Sequence, residues 1–318
     1  MSRRFSIIIV HRNGADMLLE TLACVARACD PARDEIILVD NASRDDSARR
    51  VADRHPEVRV IGNSCNNGFA RACNQAIARA QGGFMLLLNN DARPAPDVLN
   101  LLEAAFRRFP RAAVVAGQLV DAAGQAQRSA GRIPTALDEL GLGFLRRTPR
   151  LPAVDGLTEV ESVVGACMAV RRAAIEQAGP LDGEFFFYFE DTEWCHRLRR
   201  HGWQVLLEPA ARVTHLKGAS TRGKRRGAQI EALRSRLIFY RKTMGAPLAL
   251  FVTGYRILRL SINAAVNLLA TLVTLGLHAR LREKTAIYFL QLAWLLLGLP
   301  DHWGLPDKCP RGYPGTSS

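Results

Sequence analysis

Phe84-Met85-Leu86-Leu87-Leu88-Asn89-Asn90-Asp91 is an apolar run that stops abruptly in two amides and a carboxylate. A strand with one wet face alternates apolar and polar residues. This run does not alternate, so it predicts a strand covered on both faces, as in a parallel sheet built from βαβ crossovers. Phe5 to Val10, with Ile7-Ile8-Ile9-Val10 at its centre, has the same character. Glu35 to Val39, Val58 to Ile61 and Ala112 to Ala116 are shorter β-branched runs, and the amphipathic stretches between them fit helices. The first 120 residues are therefore expected to be α/β. In such sheets the ligand crevice lies outside the carboxyl ends of the strands, which directs attention to the polar residues that follow each run.

From about 118 to 160 the period is broken by Gly124, Gly131, Pro134, Gly141, Gly143, Pro149, Pro152 and Gly156, which predicts loops and short strands. Order returns with Val160 to Val170 and a helix at Arg171 to Ala178, stopped by Gly179-Pro180. A longer helix near Phe189 to His201 ends at Gly202, and two strands, Gln204 to Leu207 and Ala211 to His215, follow.

With 318 residues, 48% apolar and 23% charged, the chain can bury a substantial core, which excludes wholesale disorder. Forty-three Lys and Arg against 30 Asp and Glu leave +13, pointing to an anionic partner: nucleic acid, phosphorylated substrate or lipid headgroups. The seven cysteines (24, 29, 65, 73, 167, 195 and 309) form no CxxC pair and are odd in number, which argues against a disulfide scaffold or zinc ribbon. The apolar run after Arg3-Arg4 stops at His11-Arg12, too short for a signal peptide, so a reducing, cytosolic compartment is expected. The tail differs in kind. After a basic stretch come Leu260 to Leu277 and Thr285 to Pro300, uncharged and separated by Arg280, Arg282 and Lys284. A bilayer core needs about 20 apolar residues, so in-plane or hairpin attachment to an anionic membrane surface fits better than clean spanning. Ordinary core helices are the alternative.

Six segments carry the possible chemistry. Asp40, ending the second strand, can accept from a nucleotide's base or ribose, while Asn41 or Ser43 could instead cap the next helix. Asn67 and Gly68 stand at a helix mouth where N–H groups favour phosphate, although Asn67 could be only a cap and Asn74, one turn on, could face water. Asn90 and Asp91 offer hard oxygen ligands for Mg2+ or Mn2+ if a substrate diphosphate completes the shell; a plain turn is the alternative. Phe185 to Phe189 run into Glu190, Asp191, Glu193 and Trp194. Such aromatics could wall a pocket that desolvates a carboxylate and makes it a general base, or the acids could merely complement a helix dipole. His215 could join Asp91 on a metal. Lys217, Ser220 and the basic run Arg222 to Arg226 could close on phosphates or form a solvated or membrane-facing face.

Taken in order, VDNAS (39–43), NNGFARACNQA (66–76), LLNNDA (87–92), GACMAVRR (165–172), FFFYFEDTEWCHRLRRHGW (185–203) and VTHLKGAS (213–220) resemble the family 2 inverting glycosyltransferases of the GT-A fold, in particular the rhamnosyltransferase-like group. The resemblance covers about residues 4 to 243. It implies a mostly parallel Rossmann-like sheet flanked by helices over residues 1–243, with a helical, membrane-associated region at 244–318. It implies Asp191 as catalytic base, Asp40, Asn67, Gly68, Asn90 and Asp91 along the nucleotide and donor, Glu190 and Trp194 at the acceptor pocket, and Asp91 with His215 on Mg2+ or Mn2+. The family's metal motif is often Asp-x-Asp, and Asn89 here stands first. The implied partners are a nucleoside diphosphate sugar and a lipid-linked or polysaccharide acceptor, with no nucleic acid. Two rivals remain: a sugar nucleotidyltransferase, for which His11-Arg12-Asn13-Gly14 lacks the expected glycine run, and a basic nucleic-acid-binding protein, for which no helix-turn-helix, zinc-finger or stacking signature is present.

Overall fold

In the computed structural model, residues 3–146, 153–154, 156–216, 225–300 and 302–310 are described. The chain begins β1 (Arg3–His11), α1 (Ala15–Ala28), β2 (Glu35–Asp40), α2 (Ser47–Arg54), β3 (Arg59–Gly62), α3 (Phe69–Ile77), β4 (Gly82–Asn89), β5 (Ala92–Pro94), α4 (Val98–Arg108) and β6 (Ala112–Val120). It continues through β7 (Ala130–Gly131), α5 (Ala136–Glu139), a 3-10 turn (Gly143–Leu145), β8 (Ala153–Val154), β9 (Leu157–Glu159), β10 (Ser162–Val163), β11 (Cys167–Arg171), α6 (Arg172–Ala178), α7 (Glu190–Arg200) and β12 (Gln204–His215). Then come α8 (Arg225–Thr243), α9 (Ala246–Val273) and α10 (Ala279–Leu296).

The central sheet has the order β3-β2-β1-β4-β11-β6-β12-β9-β8, with β5 also on β12. β3, β2, β1 and β4 are parallel, β11 is antiparallel to both β4 and β6, and β12 runs parallel to β6. The unalternating runs are buried on both faces. Ile7, Ile9, Leu86 and Leu88 enter a core with α1 and α4, while Ile8, Met85 and Leu87 enter a second core with α3 and α7. Helices on both faces are what such strands require. The two strands expected at 204–215 form one, β12, with a register shift between Glu208 and Arg212. Pro209 lies in that interval and cannot donate to a ladder, so pairing is interrupted without ending the strand.

The tail is an antiparallel pair of helices. α8 first packs Phe239 and Tyr240 against Phe185. α9 is the one helix among the described residues long and apolar enough to cross a membrane, and only 11% of its most apolar window is buried. That exposure removes the core-helix alternative for α9. Leu258, Ile262, Val266, Leu269 and Val273 are exposed at three- and four-residue spacing, so they form one apolar stripe. Leu275 and Leu277, also exposed, continue it to the turn before α10, beside exposed Arg280, Arg282 and Lys284.

The cysteines form no disulfide scaffold among the described residues, but one pair that the sequence reading did not foresee is present: Cys65 and Cys309 are bonded, with Cα atoms 5.1 Å apart. Spacing could not reveal a pair separated by 244 residues. It forms because the segment after α10 returns to the loop that precedes α3.

Candidate functional site

β1, β2 and β4 end side by side, with His11 opposite Asp40 and Val10 opposite Asn89. Asp40 Oδ1 accepts from the Ser43 amide at 3.0 Å, which folds the turn after β2. Neither Asn41 nor Ser43 caps α2, whose N-cap is Asp46. Asn41 is instead a buried hub. Its Nδ2 donates to Asn66 Oδ1 (2.8 Å) and to the Gly68 carbonyl (3.1 Å), and its Oδ1 accepts from the Asn67 amide (2.9 Å). The loop 66–68 is thereby fixed against β2.

The expectation of phosphate-ready amides at α3 needs correction. The Asn67 amide is taken by Asn41, the Gly68 amide donates to Asn66 Oδ1 at 3.1 Å, and the Phe69 amide donates to the Phe186 carbonyl at 2.8 Å. Gly68, at φ 78, is the N-cap, so Asn67 does not cap. A Cβ at Gly68 would lie 2.5 Å from the Phe186 carbonyl oxygen, so this close approach and the left-handed φ both call for glycine. Asn67 keeps one polar group uncommitted, its buried Nδ2, which has no hydrogen-bond partner among the described residues. Asn74 does not face water. It donates to the Leu181 carbonyl (2.7 Å) and accepts from the Leu181 amide (3.1 Å).

Asn90 and Asp91 lie just beyond β4 and are buried. Asn90 Nδ2 is 2.8 Å from His11 Nδ1, and His11 Nε2 is 2.9 Å from Ser47 Oγ. Burial lowers the His11 pKa to about 4, so its ring is a neutral bracket between β1, α2 and Asn90. β5 pairs with the end of β12, Ala92 opposite His215, which brings Asp91 and His215 together. Asp91 Oδ1 and His215 Nε2 are 3.4 Å apart, and Asp91 Oδ1 has no hydrogen-bond partner among the described residues. Adjacent ligands in octahedral Mg2+ coordination stand about 3 Å apart. The pair therefore fits two positions of a divalent-cation shell, although no cluster of three ligating side chains occurs among the described residues. Lys217 to Lys224, including most of the basic loop expected to close on phosphates, lie outside the described residues; Arg225 and Arg226 begin α8.

Tyr188 (φ 71) and Phe189 (φ 67) are both left-handed, an uncommon conformation for bulky residues. They turn the chain sharply into α7, whose first two residues are Glu190 and Asp191. Asp191 Oδ2 accepts from the Gly165 amide (2.9 Å), and Oδ1 from the Thr192 amide (2.6 Å) and hydroxyl (3.1 Å). Ala166, next to Gly165, accepts from the Asn89 amide at 3.0 Å. Because β11 runs against β4, its leading residues meet the carboxyl end of β4. Asp191 is thus tied, through Gly165 and Ala166, to the edge that carries Asn89, Asn90 and Asp91.

Burial raises the proton affinity of Asp191 against the opposing effect of these hydrogen bonds. Glu190 is more perturbed: burial, with a contribution from the Asp191 charge, lifts it to about 8. Its Oε2 has no hydrogen-bond partner among the described residues, and its charge is felt at buried Cys73 of α3. Glu190 therefore sits behind Asp191 in the protein interior, not at an acceptor pocket. Trp194 is also corrected: it is fully buried in the second core, and its Nε1 donates to the Gly179 carbonyl at 2.9 Å. The aromatic run divides, with Phe185 in the core and Phe186 and Phe187 at the crevice.

That crevice is a cavity of about 120 Å³ bounded by His11, Arg12, Asn41, Gly68, Asn90 and Phe186 on the sheet side and by Leu305 and Pro306 from the C-terminal segment. A larger groove, about 1000 Å³, runs beside α3 under α8, α9 and α10, with Arg71, Arg234 and Arg241 near Leu237, Leu250 and Trp294. Sequence reading missed Asn41 as a hub, His11 and Gly165. The turn position of Asn41 was a signal for it, as were the place of His11 at the end of the first strand run and of Gly165 at the head of GACMAVRR, although neither pointed to a role.

Residues 6–179 match the family described as Glycosyl transferase family 2. The N-acetylglucosaminyl-diphospho-decaprenol L-rhamnosyltransferase of Mycobacterium tuberculosis is 30% identical over 207 residues, 58% of this chain and 67% of the relative. Among solved structures, GalNAc-T7 with UDP, GalNAc and Mn2+ gives a TM-score of 0.55 at 19% identity, covering 74% of this chain and 47% of that one. The mannosyltransferase PcManGT from Pyrobaculum calidifontis, in complex with GDP-Man and Mn2+, gives 0.52 at 18% identity, covering 95% and 88%.

Proposed function

Because the chain belongs to glycosyl transferase family 2 and is a glycosyltransferase of the GT-A fold, we propose that it is an inverting enzyme that moves a sugar, rhamnose being the first to try, from a nucleoside diphosphate to a hydroxyl of a lipid-linked or polysaccharide acceptor in cell-surface glycan synthesis. The observation that carries this proposal is the hydrogen-bonded tie from Asp191 through Gly165 and Ala166 to Asn89. It supports a base and a donor site on one sheet edge.

For inversion, the acceptor oxygen bonds to the anomeric carbon as the bond to the diphosphate oxygen breaks on the opposite face, through an oxocarbenium-like transition state. Asp191 takes the hydroxyl proton. Its raised proton affinity improves it as a base, and the Gly165 and Thr192 donors hold the carboxylate in one orientation. Asp40, Asn67, Gly68 and Asn90 line the nucleotide and donor. Asp91 and His215 would hold Mg2+ or Mn2+, whose charge would stabilise the leaving diphosphate; the Mn2+ in the two structural neighbours supports this choice.

The region beyond residue 243 serves as an attachment to the inner face of the cell membrane, peripheral or monotopic. The exposed stripe of α9 and the basic start of α10 support in-plane insertion at an anionic surface. The large groove supports a lipid-linked acceptor, since it sets arginines beside apolar side chains. The mycobacterial relative, named for a diphospho-decaprenol substrate, points the same way.

The test is to incubate the protein with UDP-, dTDP- and GDP-sugars, Mg2+ or Mn2+ and membrane lipid extract, and to measure nucleoside diphosphate release. Release with one donor, and a product of inverted anomeric configuration by NMR, is expected. Pyrophosphate release instead would assign the chain to sugar nucleotide synthesis.

A further inference from the structure

We propose that the C-terminal strap, Trp303 to Cys309, is an autoinhibitory plug of the donor crevice, released by reduction of the Cys65–Cys309 disulfide. The proposal rests on the donor assignment made above. Four observations lead to it.

The strap lies beside the residues proposed to hold the nucleotide, sharing a cavity with Gly68 and Asn90. The Asn66 amide donates to the Asp307 carbonyl (3.0 Å), and the Cys309 amide donates to the Asn66 carbonyl (3.1 Å). Leu305 and Pro306 thereby become walls of the cavity formed by the ends of β1, β2 and β4. Space is the second observation. The remaining cavity is about 120 Å³, whereas clefts for ligands of nucleotide size run from about 300 to 1,000 Å³. The strap and a nucleoside diphosphate would compete for this space.

Charge is the third. The Asp307 carboxylate forms ion pairs with Arg12, just after β1, and with Arg44 (2.7 Å), in the turn after Asp40. An acidic side chain thus occupies two cations at the rim where an anionic donor would arrive. Fourth, the disulfide is a covalent tether added to non-covalent contacts of uneven strength. Arg44 is 74% exposed, so its pair with Asp307 is weak, whereas Arg12 is 15% exposed. Buried Glu231 accepts from the Leu305 amide at 3.2 Å and pairs with Lys308, whose ammonium also lies 4.6 Å from the centroid of the Phe186 ring. The disulfide keeps the strap beside its docking residues, where effective concentrations reach about the millimolar range.

The switching step is thiol–disulfide exchange with a dithiol reductant. The Cys65–Cys309 S–S bond breaks, each sulfur gains one electron and one proton, and the dithiol loses both pairs as it closes to its own disulfide. The reduced enzyme has the open crevice; the oxidised one is shut.

The experiment measures Mn2+-dependent binding of UDP, dTDP and GDP by calorimetry to the full chain, oxidised, reduced with dithiothreitol and desalted, and as Asp307→Ala and Cys309→Ser. Hydrogen exchange at the Asn66 and Cys309 amides is followed in parallel without nucleotide. Reduction is expected to tighten binding of one nucleotide by about tenfold or more and to raise exchange at both amides, because apparent affinity scales with the competent fraction. Oxidised Asp307→Ala is expected to bind more tightly than oxidised wild type, and Cys309→Ser to bind like the reduced protein whatever the treatment. Equal affinity in all forms, or looser binding on reduction as for a lid that closes over nucleotide, overturns the plug while leaving the donor assignment intact. Failure of every form to bind any of the three, with exchange rising on reduction, overturns the donor assignment and the plug with it.

Discussion

Replacing Glu190 with Gln tests the electrostatics behind the base. The carboxyl is buried and lifted from 4.5 to about 8, so the folded protein holds a proton that the unfolded chain releases. A raised carboxyl contributes stability that is fully present below about pH 4.5 and is lost as pH climbs towards about 8. Each tenfold gain in proton affinity corresponds to about 1.4 kcal/mol, so the whole window is worth up to roughly 5 kcal/mol. Glutamine is neutral at every pH and nearly isosteric with the protonated acid. Urea unfolding followed by tryptophan fluorescence between pH 5 and pH 9 should show wild type weakening steadily with pH and Glu190→Gln weakening much less. The two proteins should be close at pH 5, with the variant more stable at pH 9 by several kcal/mol. Asp191, also raised by burial, keeps its own slope in both. Parallel profiles across the range would refute the placement of a protonated Glu190 beside Asp191.

Asp191→Asn, which keeps shape but removes the base, should lower kcat by about 10²- to 10⁴-fold with little change in nucleoside diphosphate affinity; a variant with full turnover would exclude Asp191 as the base. Gly68→Ala sets a Cβ 2.5 Å from the Phe186 carbonyl oxygen at a left-handed φ, and chemical denaturation should show a loss of about 2–4 kcal/mol. Ile262→Glu with Leu269→Glu places two charges on the exposed stripe of α9; cosedimentation with anionic vesicles should fall sharply while far-ultraviolet circular dichroism is unchanged, and undiminished pelleting would argue against that face as the attachment.

What the sequence revealed follows the range of the forces involved. Ile7 to Val10 and Met85 to Leu88 disclose their strands because burial on two faces leaves no polar alternation, a local signal. That Asp191 stands at the start of a helix was legible because acids following five aromatics are unusual in one short window. Trp194 misled because a tryptophan beside those acids looks like a pocket wall, yet helical geometry turns it inward to the Gly179 carbonyl. Asn74 misled similarly: its partner, Leu181, is 107 residues away. The pairing of Cys65 with Cys309 and the ion pairs of Asp307 depend on where a distant segment returns, which no period or spacing encodes.

The reversed course of β11 has a consequence for how this chemistry tolerates change. Asp191 is steadied by a main-chain N–H at Gly165, and a Cβ there would meet Asp191 at an ordinary 3.4 Å. Most residue types at 165 would supply the same donor, proline alone withholding it. The orientation of the carboxylate is inherited from strand topology, so drift at that position leaves the proposed base aimed as before, and a search by identity at 165 would overlook relatives that keep the same arrangement.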